Sequence, residues 1–444
     1  MLLRFVVTNF LSFAEETEFT MFPANFKIHK GHIYHTREVD LLKAAAIYGA
    51  NGSGKSNFVK AVSFLREVVN SGLLTHGEAP CFRLSENYLD KPTQFEIEFS
   101  IANRYFAYGL SIFDYWVHEE WLYEISPKND SETLIFERSR KSKNDKNKIK
   151  VNTKYLTDEK EKLRYEIYEE ELVPAELFLW RIKDRIEEAH LVVKWFEHSL
   201  AVILPDSVYP LTFGLAVNQE LFDYFNVFLS KSNTGIAKIE FNEVGIDTIK
   251  NPAVKRDVLN RLSDENEILV HFTDNGKEHV AYREGDTIKV KKFSVFNHAE
   301  GDTVVELRLD QQSDGSRRLL DLIPILYFIE KEDKVVFVDE IERSLHPSLI
   351  KELLELFLQN SSKGQLIFTT HESHLLDLDL FRQDEIWFTE KDESGASKIY
   401  SLSEFKPRYD LDIRKGYLAG RFGAIPFLAN LKEPNWLHAE KSRI

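Results

Sequence analysis

The most informative part of the sequence is Ala44–Asn57, which reads AAAIYGANGSGKSN. Within it, Gly49–Ser56 matches the pattern G-x-x-x-x-G-K-[ST] of a phosphate-binding loop, or P-loop. The small apolar residues before the loop predict a buried strand, and Asn57–Val69 after it has helical periodicity. A phosphate bound here would lie at the N-terminus of a helix, where backbone N–H groups favour an anion.

The residue types in this loop suit the phosphates of a nucleotide. Gly49, Gly52 and Gly54 allow a tight turn in which successive N–H groups point at phosphate oxygens. Lys55 can reach the β- and γ-phosphates as a point charge, and Ser56 can offer its hydroxyl to Mg²⁺. The predicted nucleotide-binding residues of the loop are Asn51, Gly52, Ser53, Gly54, Lys55, Ser56 and Asn57.

Length and composition are those of an ordinary globular protein of two or three domains. The 444 residues are 43% hydrophobic and 29% charged, with a net charge of −15. Such a charge argues against a general nucleic-acid binder, although a local basic groove stays open as an alternative. Cys81 is the single cysteine, so we expect no internal disulfide and a cytoplasmic location. No apolar run is long enough for a membrane span, and the N-terminus lacks a signal-peptide cleavage pattern.

The N-terminal part of the chain predicts strands on both sides of the P-loop unit. Leu2–Phe10 alternates as a first strand, and Glu16–Met21 is expected to pair back with it. An antiparallel meander, or β-lobe, is predicted beyond the P-loop helix, with strands at Gln94–Ser100, Arg104–Phe113, Val117–Tyr123 and Thr133–Arg138. The basic run Arg138–Lys150 is interpreted as a solvated hairpin tip, with a nucleic-acid or partner contact as the alternative.

A mainly helical insertion is expected from Tyr155 to Lys231, with helices in EKEKLRYEIYEEEL, IEEAHLVVKWFEHSLAVIL and NQELFDYFNVFLSK. Short β signals follow between Ile236 and Leu309. Helix and strand then alternate over Ser316–Glu330, Lys334–Val338, His346–Gln359 and Gln365–Thr370. We therefore expect a nucleotide-binding core split into residues 1–138 and 296–444, with 139–295 as the insertion.

Two acids follow a second buried strand, Val335–Val338. Asp339 at the strand end can hold Mg²⁺, directly or through water. Glu340 beside it can polarise the water that attacks the γ-phosphate. With a P-loop upstream, this pair predicts a nucleotide hydrolase.

The stretch Gln311–Arg318, QQSDGSRR, has the order and spacing of the signature motif of ABC-type ATPases. Ser313 and Gly315 at a helix N-terminus form a second anion site. In that class, the signature of one subunit closes on the γ-phosphate held by the other. Ser344–Pro347 follows in the position of the D-loop, and His371 after the next apolar strand matches the switch histidine.

Two alternatives are open for the Q-loop of an ABC-type ATPase. Gln94 at the start of the β-lobe is one candidate, and the segment Pro80–Leu84 is the other.

The chain resembles the RecF-, SMC- and OLD-type ABC ATPases. The resemblance rests on NFLSF, GANGSGKSN, QSDGSRRLLDLIP, VVFVDEIERSLHP and FTTHESHLLD. Among these, it is most similar to the AAA subfamily near OLD that includes AbiL/RloA-like bacterial phage-defence proteins, and the tail segments DEIWFTEKDESGASKIYSLSEF and DIRKGYLAGRFGAIPFL are similar too. The resemblance implies an α/β fold: an ABC-type P-loop ATPase head with an antiparallel β-lobe and a mainly helical insertion.

The resemblance also implies a function. ATP and Mg²⁺ are the expected cofactors, with Glu340 and His371 catalytic and Ser56 and Asp339 at the metal. A homodimer or higher homo-oligomer would enclose ATP. As a sensor or scaffold, the chain would control an effector protein encoded nearby, often a nuclease, and a phage-derived trigger is a further expected partner. The signature reads QSDGS where transporters have LSGGQ, and the chain ends soon after His371, so we expect no nuclease in this chain.

Three functions compete on these observations. The first is an ATPase that senses or scaffolds and controls a separate effector. The second is a RecF-like DNA repair or clamp ATPase, which the negative net charge disfavours. The third is a transporter nucleotide-binding subunit, which the β-lobe, the long insertion and the altered signature disfavour.

Overall fold

The structure is a computed structural model, and it describes residues 1–205, 214–231, 235–263, 269–298, 303–359, 363–408 and 411–424. The chain divides into two compact units. Unit 1 comprises the described residues of Met1–Val202, Phe337–Ile341 and Gln365–Ile444, and unit 2 those of Ile203–Val336 and Glu342–Gly364. These bounds differ from the three segments predicted from the sequence, and that division stays a prediction.

Both units contain strands and helices. The first ten strands are β1 (Leu2–Thr8), β2 (Thr17–Thr20), β3 (Ile33–His35), β4 (Asp40–Leu42), β5 (Ala44–Gly49), β6 (Thr93–Ile101), β7 (Arg104–Phe113), β8 (Trp116–Ser126), β9 (Ser131–Ser139) and β10 (Lys148–Val151). The next ten are β11 (Leu200–Ile203), β12 (Ile236–Val244), β13 (Leu269–Asp274), β14 (Lys277–Glu284), β15 (Thr287–His298), β16 (Val304–Leu307), β17 (Val335–Val338), β18 (Gln365–Thr369), β19 (Ile386–Lys391) and β20 (Ser397–Ser401). The helices are α1 (Lys55–Ser71), α2 (Leu73–His76), α3 (Glu159–Glu171), α4 (Phe178–Ile182), α5 (Glu187–Lys194), α6 (Gln219–Lys231), α7 (Pro252–Arg261), α8 (Asp314–Lys331), α9 (Pro347–Gln359) and α10 (Ile413–Leu418).

A six-stranded sheet carries the P-loop strand, in the order β11-β17-β18-β5-β19-β20. β5 pairs in parallel with β18 and with β19, and β19 pairs antiparallel with β20. Every residue of β5, β17 and β18 is buried, as expected for strands that are covered on both faces. The predicted α/β fold class is confirmed.

A seven-stranded antiparallel sheet forms the β-lobe, in the order β10-β9-β8-β7-β6-β1-β2. The predicted meander and the predicted pairing of the first two strands are both confirmed. The sequence did not indicate that β1 pairs with β6, which joins the N-terminal hairpin to the β-lobe. Phe58 of α1 packs against Phe5 and Phe19 of this sheet and against Phe337 of the six-stranded sheet, so α1 shares a core with both.

Unit 2 contains a five-stranded antiparallel sheet in the order β12-β15-β14-β13, with β16 paired to β15. Its strands confirm the prediction of short strands between Ile236 and Leu309. α7 covers one end of it through a cluster of buried apolar residues: Ile249, Val258, Leu262, Val270, Phe272, Ala281 and Val290. α6 and α8 contact each other through Tyr224 and Tyr327, whose ring centroids are 5.4 Å apart.

One predicted helix is wrong. The stretch IEEAHLVVKWFEHSLAVIL was expected to be a single helix, but α5 ends at Lys194 and a single-turn π-helix, Trp195–Ser199, follows. Leu200–Ile203 then forms β11 at the edge of the six-stranded sheet. Trp195 stacks on Phe99 of the β-lobe, with ring centroids 4.0 Å apart. The apolar run is equally compatible with helix and strand, and its tertiary partners select the strand.

The basic run forms the predicted hairpin, because β9 and β10 pair antiparallel. The prediction that the run is solvated is wrong at its first residues. Arg138 and Arg140 are buried, and both donate to the buried side chain of Asn147 through Nε, at 2.8 and 3.2 Å. Arg140 also donates to the carbonyl of Leu172 at 2.8 Å, so these arginines hold the segment before α4.

The described part of the C-terminal motif DIRKGYLAGRFGAIPFL packs on the six-stranded sheet. The rings of Tyr417 and Phe422 stack on Phe388 of β19 at 5.6 and 5.9 Å. A Cβ on Gly423 would lie 2.3 Å from Oε2 of Glu390, so a larger residue would displace the motif. The remainder of the motif, from residue 425, lies outside the described residues. Among the helices that are described, none is long and apolar enough to cross a membrane.

Candidate functional site

The P-loop lies between β5 and α1 in unit 1, as predicted. Gly52 and Gly54 have φ angles of +76° and +118°, in the region that favours glycine. Gly54 is the N-cap of α1, so the loop leads directly into the helix. The side chain of Lys55 is buried, and its Nζ donates to the carbonyls of Gly49 at 2.8 Å and Ala50 at 3.1 Å. The amine of Lys55 is therefore held within the P-loop, where the phosphates are also predicted to bind.

Asp339 and Glu340 follow β17, and Thr369 at the end of β18 holds both. The hydroxyl of Thr369 donates to Oδ1 of Asp339 at 2.5 Å and accepts from the N–H of Glu340 at 2.8 Å. Asp339 is 1% exposed, so its carboxylate is fixed in a solvent-poor position. The N–H of Ile341 donates to the carbonyl of Thr369 at 3.1 Å. Thr369 therefore sets the position of the acid pair.

The backbone of Glu340 is in the left-handed region, with a φ of +50°. A residue with a side chain seldom occupies this region, and such conformations concentrate at functional sites. The side chain is half-buried, so it can meet both protein and water.

His371 lies two residues beyond Thr369, and its side chain is exposed. The N–H of Thr370 donates to the carbonyl of Ile47 at 3.1 Å, which ties the start of this loop to the P-loop strand. Lys55, Asp339, Glu340 and His371 therefore follow the ends of three strands of one sheet, within one compact unit. Ligand sites in open α/β sheets form at such strand ends.

The residues predicted to hold Mg²⁺ are compatible with that ion. The hydroxyl of Ser56 and the carboxylate of Asp339 are oxygen donors, which Mg²⁺ prefers. Mg²⁺ at nucleotide sites typically takes one or two such ligands from the protein and the others from phosphate and water. Among the described residues, no group of three or more His, Cys, Asp or Glu side chains could hold a metal ion.

Ser313 and Gly315 lie in unit 2, at the start of α8. Ser313 is the exposed N-cap of this helix, and its hydroxyl accepts from the N–H of Ser316 at 3.1 Å. A Cβ on Gly315 would lie 2.6 Å from the carbonyl oxygen of Ser344. The predicted signature and the predicted D-loop are therefore in close contact, which only glycine permits at position 315.

The two Q-loop candidates lie in different places of unit 1. Gln94 lines an open cavity of about 140 Å³ on the β-lobe sheet, together with Arg4 and Trp121. The segment Pro80–Leu84 lies beside the turn after β1, where the carbonyl of Pro80 accepts from the N–H of Leu11 at 2.7 Å. Both remain candidates for the Q-loop.

Hydroxyl side chains whose role the sequence did not predict also contact the P-loop. Oγ1 of Thr389 lies 2.6 Å from Oγ of Ser53. The hydroxyl of Ser397 donates to the carbonyl of Ser53 at 2.7 Å and lies 2.8 Å from Oγ of Ser12. Nδ2 of Asn57 donates to Oγ of Ser12 at 2.8 Å. Thr389 and Ser397 are more than 330 residues from Ser53 in sequence, so no local motif could have indicated these contacts.

Comparison with protein families finds a match over most of the chain. A family model described as "AAA domain, putative AbiEii toxin, Type IV TA system" matches residues 44–377. The chain belongs to this family. The matched segment of this AAA family member begins with the P-loop strand and includes Asp339, Glu340 and His371. The prediction of a P-loop ATPase domain is therefore confirmed, and the assignment to the OLD or AbiL/RloA-like branch stays a prediction.

Comparison with curated proteins finds no match. Among solved structures, the AAA family member is similar to an SMC head bound to the C-winged helix domain of ScpA, at 13% identity and a TM-score of 0.42, over 91% of this chain and 99% of that chain. It is similar to the SMC head domain from Thermotoga maritima, at 13% identity and a TM-score of 0.37, over 90% and 98%. It is also similar to an Smc head domain with an extended coiled coil, bound to the C-terminal domain of ScpA derived from Pyrococcus furiosus, at 13% identity and a TM-score of 0.39, over 91% and 97%.

Proposed function

We propose that this chain binds and hydrolyses ATP in a Mg²⁺-dependent reaction in the cytoplasm. We further propose that it is the sensor and scaffold subunit of a bacterial anti-phage defence system. In that role it controls a separate effector, a nuclease, in response to a phage-derived trigger. The observation that carries the ATPase proposal is the arrangement of Asp339, Glu340 and Thr369 at the ends of β17 and β18, the second of which pairs with the P-loop strand.

Each residue has a distinct part in the proposed reaction. Lys55 exchanges its contacts with the carbonyls of Gly49 and Ala50 for the β- and γ-phosphates, whose charge it offsets. Ser56 and Asp339 would hold Mg²⁺, which when bound neutralises phosphate charge. Glu340 orients the attacking water and accepts its proton. His371, exposed at the end of its loop, donates to the γ-phosphate.

A second copy of the chain completes the proposed site. Ser313 is exposed at the N-terminus of α8, an 18-residue helix whose first N–H groups favour an anion. With Gly315, it would contact the γ-phosphate held by the P-loop of the partner copy. The proposed active species is therefore a homodimer or a higher homo-oligomer.

The defence role is supported by the family and by the resemblance of the sequence. The family description refers to a toxin–antitoxin system, which has two components by definition. The sequence motifs resemble those of phage-defence ATPases. Both support a partner protein that the ATPase regulates.

ATP binding and phosphate release by the purified chain test the enzymatic proposal. Lys55→Ala should abolish ATP binding, because the loop then loses the cation that offsets the phosphate charge. Lys60→Ala is the matched control, since Lys60 is exposed on the same helix, and it should bind and turn over ATP like the wild type. Turnover of Lys55→Ala at the wild-type rate would contradict the proposal.

Phage infection assays test the cellular role. Cells that express the chain with its neighbouring genes should reduce the efficiency of plating of a sensitive phage, and Lys55→Ala should remove this protection. Protection that persists in Lys55→Ala cells would separate defence from ATP binding. Turnover that rises severalfold with added duplex DNA, without protection against phage, would instead favour a repair ATPase.

A further inference from the structure

Four buried hydroxyl side chains form a connected cluster on the P-loop. Ser12, Ser53, Thr389 and Ser397, here called the hydroxyl brace, are 7%, 4%, 0% and 3% exposed. They come from the turn after β1, the P-loop and the β19–β20 hairpin, all in unit 1. A buried hydroxyl without a hydrogen-bond partner destabilises the fold, so the pairing within this cluster determines how firmly it holds the loop.

The hydroxyls of Ser12 and Ser397 connect α1 with a carbonyl of the P-loop. Ser397 has one hydroxyl proton, and the carbonyl of Ser53, 2.7 Å away, can only accept. Ser397 also donates to Oγ of Ser12 at 2.8 Å, so its one proton is shared between two acceptors. Ser12 in turn accepts from Nδ2 of Asn57 at 2.8 Å. Asn57 of α1 and Ser397 of the hairpin therefore both donate to Ser12, and Ser397 also donates to the P-loop carbonyl.

The two hairpin hydroxyls lie against the glycines of the P-loop. A Cβ on Gly49 would be 2.4 Å from Oγ1 of Thr389, and a Cβ on Gly54 would be 2.3 Å from Oγ of Ser397. These glycines therefore permit the hairpin to approach, in addition to permitting the turn. The approach follows from strand register, because Thr389 pairs with Gly49 where β19 runs parallel to β5.

The brace holds the carbonyl of Ser53 through Ser397 and the side chain of Ser53 through Thr389. An anion-binding loop works by directing its N–H groups at the ligand, so its carbonyls must point elsewhere. A carbonyl that is fixed by a buried donor restrains the peptide planes on either side of it. The loop then loses less conformational entropy when phosphate binds.

From these contacts we infer that Ser397 and Thr389 are positioning residues for the nucleotide phosphates. They act through Ser53 and keep the P-loop in its phosphate-binding conformation before the ligand arrives. This inference rests on the proposed ATP binding.

The test compares ATP affinity in variants that remove or keep one hydroxyl. Thr389→Val removes the hydroxyl at nearly constant shape, and Thr389→Ser keeps it. Ser397→Ala removes the second hydroxyl, and Ser394→Ala is the control, because Ser394 is exposed in the turn of the same hairpin. Each lost hydrogen bond should raise the Kd for ATP about threefold to tenfold. Thr389→Ser and Ser394→Ala should bind within about twofold of the wild type.

Steady-state kinetics distinguish positioning from a general loss of stability. The brace should stabilise the ground state and the transition state equally, so KM should rise with Kd while kcat stays within about twofold of the wild type. Melting temperatures with and without ATP check that each variant is folded. Thr389→Val and Ser397→Ala test the inference independently, so if one of them misfolds, the other still decides it.

The outcomes separate this inference from the function on which it rests. If the wild type binds no ATP, both the proposed function and the inference are overturned. If the wild type binds ATP and Lys55→Ala does not, while Thr389→Val and Ser397→Ala bind as tightly as the wild type, only the inference is overturned. An equal loss of affinity in Thr389→Ser and Thr389→Val would also overturn it, because the hydroxyl would then not be the cause.

Discussion

Glu340 combines an unfavourable backbone conformation with a position beside a buried carboxylate. Its φ of +50° costs energy in a residue that has a side chain, and the hydroxyl of Thr369 offsets part of this by accepting from its N–H. Thr369 also binds Asp339, so the orientation of one acid depends on that of the other. The arrangement separates the proposed metal ligand from the proposed base by a single peptide bond.

Glu340→Gln should retain Mg-ATP binding and lose most of the turnover. Removing one positioned base costs about 10²–10⁴-fold in rate, while Asp339 and Lys55 remain to hold the nucleotide. Phosphate release and ATP affinity measured on the same preparation check this. Glu393→Gln, in the exposed turn of the β19–β20 hairpin, is the control. Unchanged turnover, or a loss of affinity as large as in Lys55→Ala, would move the base to another residue.

The raised pKa of Asp321 predicts that the stability of unit 2 depends on pH. Burial raises the pKa of Asp321 to about 7, against the opposing charges of Arg318 and Arg317 on α8. Between the ordinary aspartate pKa and about 7, the folded chain holds a proton that the unfolded chain has lost. The contribution of Asp321 to stability is therefore full below this range and is lost as pH rises through it.

Asp321→Asn should remove that dependence. Urea unfolding between pH 5 and pH 8, about the range in which the two states differ in protonation, should show a flatter decline of stability in the variant than in the wild type. Asp333→Asn, exposed just beyond the end of α8, should keep the wild-type slope. Parallel curves for Asp321→Asn and the wild type would contradict the assignment.

At the scale of elements, a buried ion pair joins the β-lobe to α4. Glu120 of β8 is fully buried and accepts from the N–H groups of Phe178 at 2.6 Å and Leu179 at 3.0 Å. Arg138 of β9 lies 3.5 Å from Oε2 of Glu120 and is equally buried. Burial raises the pKa of Glu120, while Arg138 and the two N–H groups oppose that shift. The carboxylate caps a helix that is too short to be stable without its tertiary contacts.

Glu120→Ala should destabilise the chain by about 3–5 kcal/mol, because it leaves the buried guanidinium of Arg138 without its carboxylate. Glu119→Ala, at the preceding position of the same strand and only half-buried, should cost much less. Urea denaturation of both variants provides the comparison. A difference of less than about 1 kcal/mol between them would show that water or neighbouring carbonyls replace the carboxylate.

At the scale of the whole molecule, the proposed sharing of sites between two copies predicts complementation. Homodimers of Lys55→Ala and of Ser313→Arg should both be inactive, because each carries its defect at both composite sites. In a mixed dimer both defects fall on one site, and the other pairs an intact Lys55 with an intact Ser313. Random exchange makes about half of the dimers mixed, each with one good site of two, so recovery should approach roughly one quarter of wild-type activity.

Subunit exchange must first be demonstrated with differently tagged chains. A mixture that exchanges but stays as inactive as its parents means that both sites must act together or that Ser313 does not serve the partner's nucleotide. A covalently linked dimer with one wild-type half distinguishes these cases. If a linked dimer of one wild-type chain and one Ser313→Arg chain is active, the two sites do not have to act together.

Short, contiguous stretches of sequence were enough to predict the parts of this protein that depend on neighbouring residues. The P-loop between β5 and α1, the acids after β17, and the strand that precedes His371 are encoded in short, contiguous patterns, since side-chain periodicity and loop glycines act locally. The meander from β6 to β9 was predictable for the same reason, because successive strands are joined by short turns.

The contacts between distant segments became evident only in the folded chain. β1 pairs with β6, Thr369 holds the acid pair, Arg138 is buried beside Glu120, and Ser397 reaches the carbonyl of Ser53. The run LAVI becomes β11 and not the end of a helix, because a strand edge is available to it. Strand pairing and burial depend on which segments meet in space, and no single stretch of sequence contains that information.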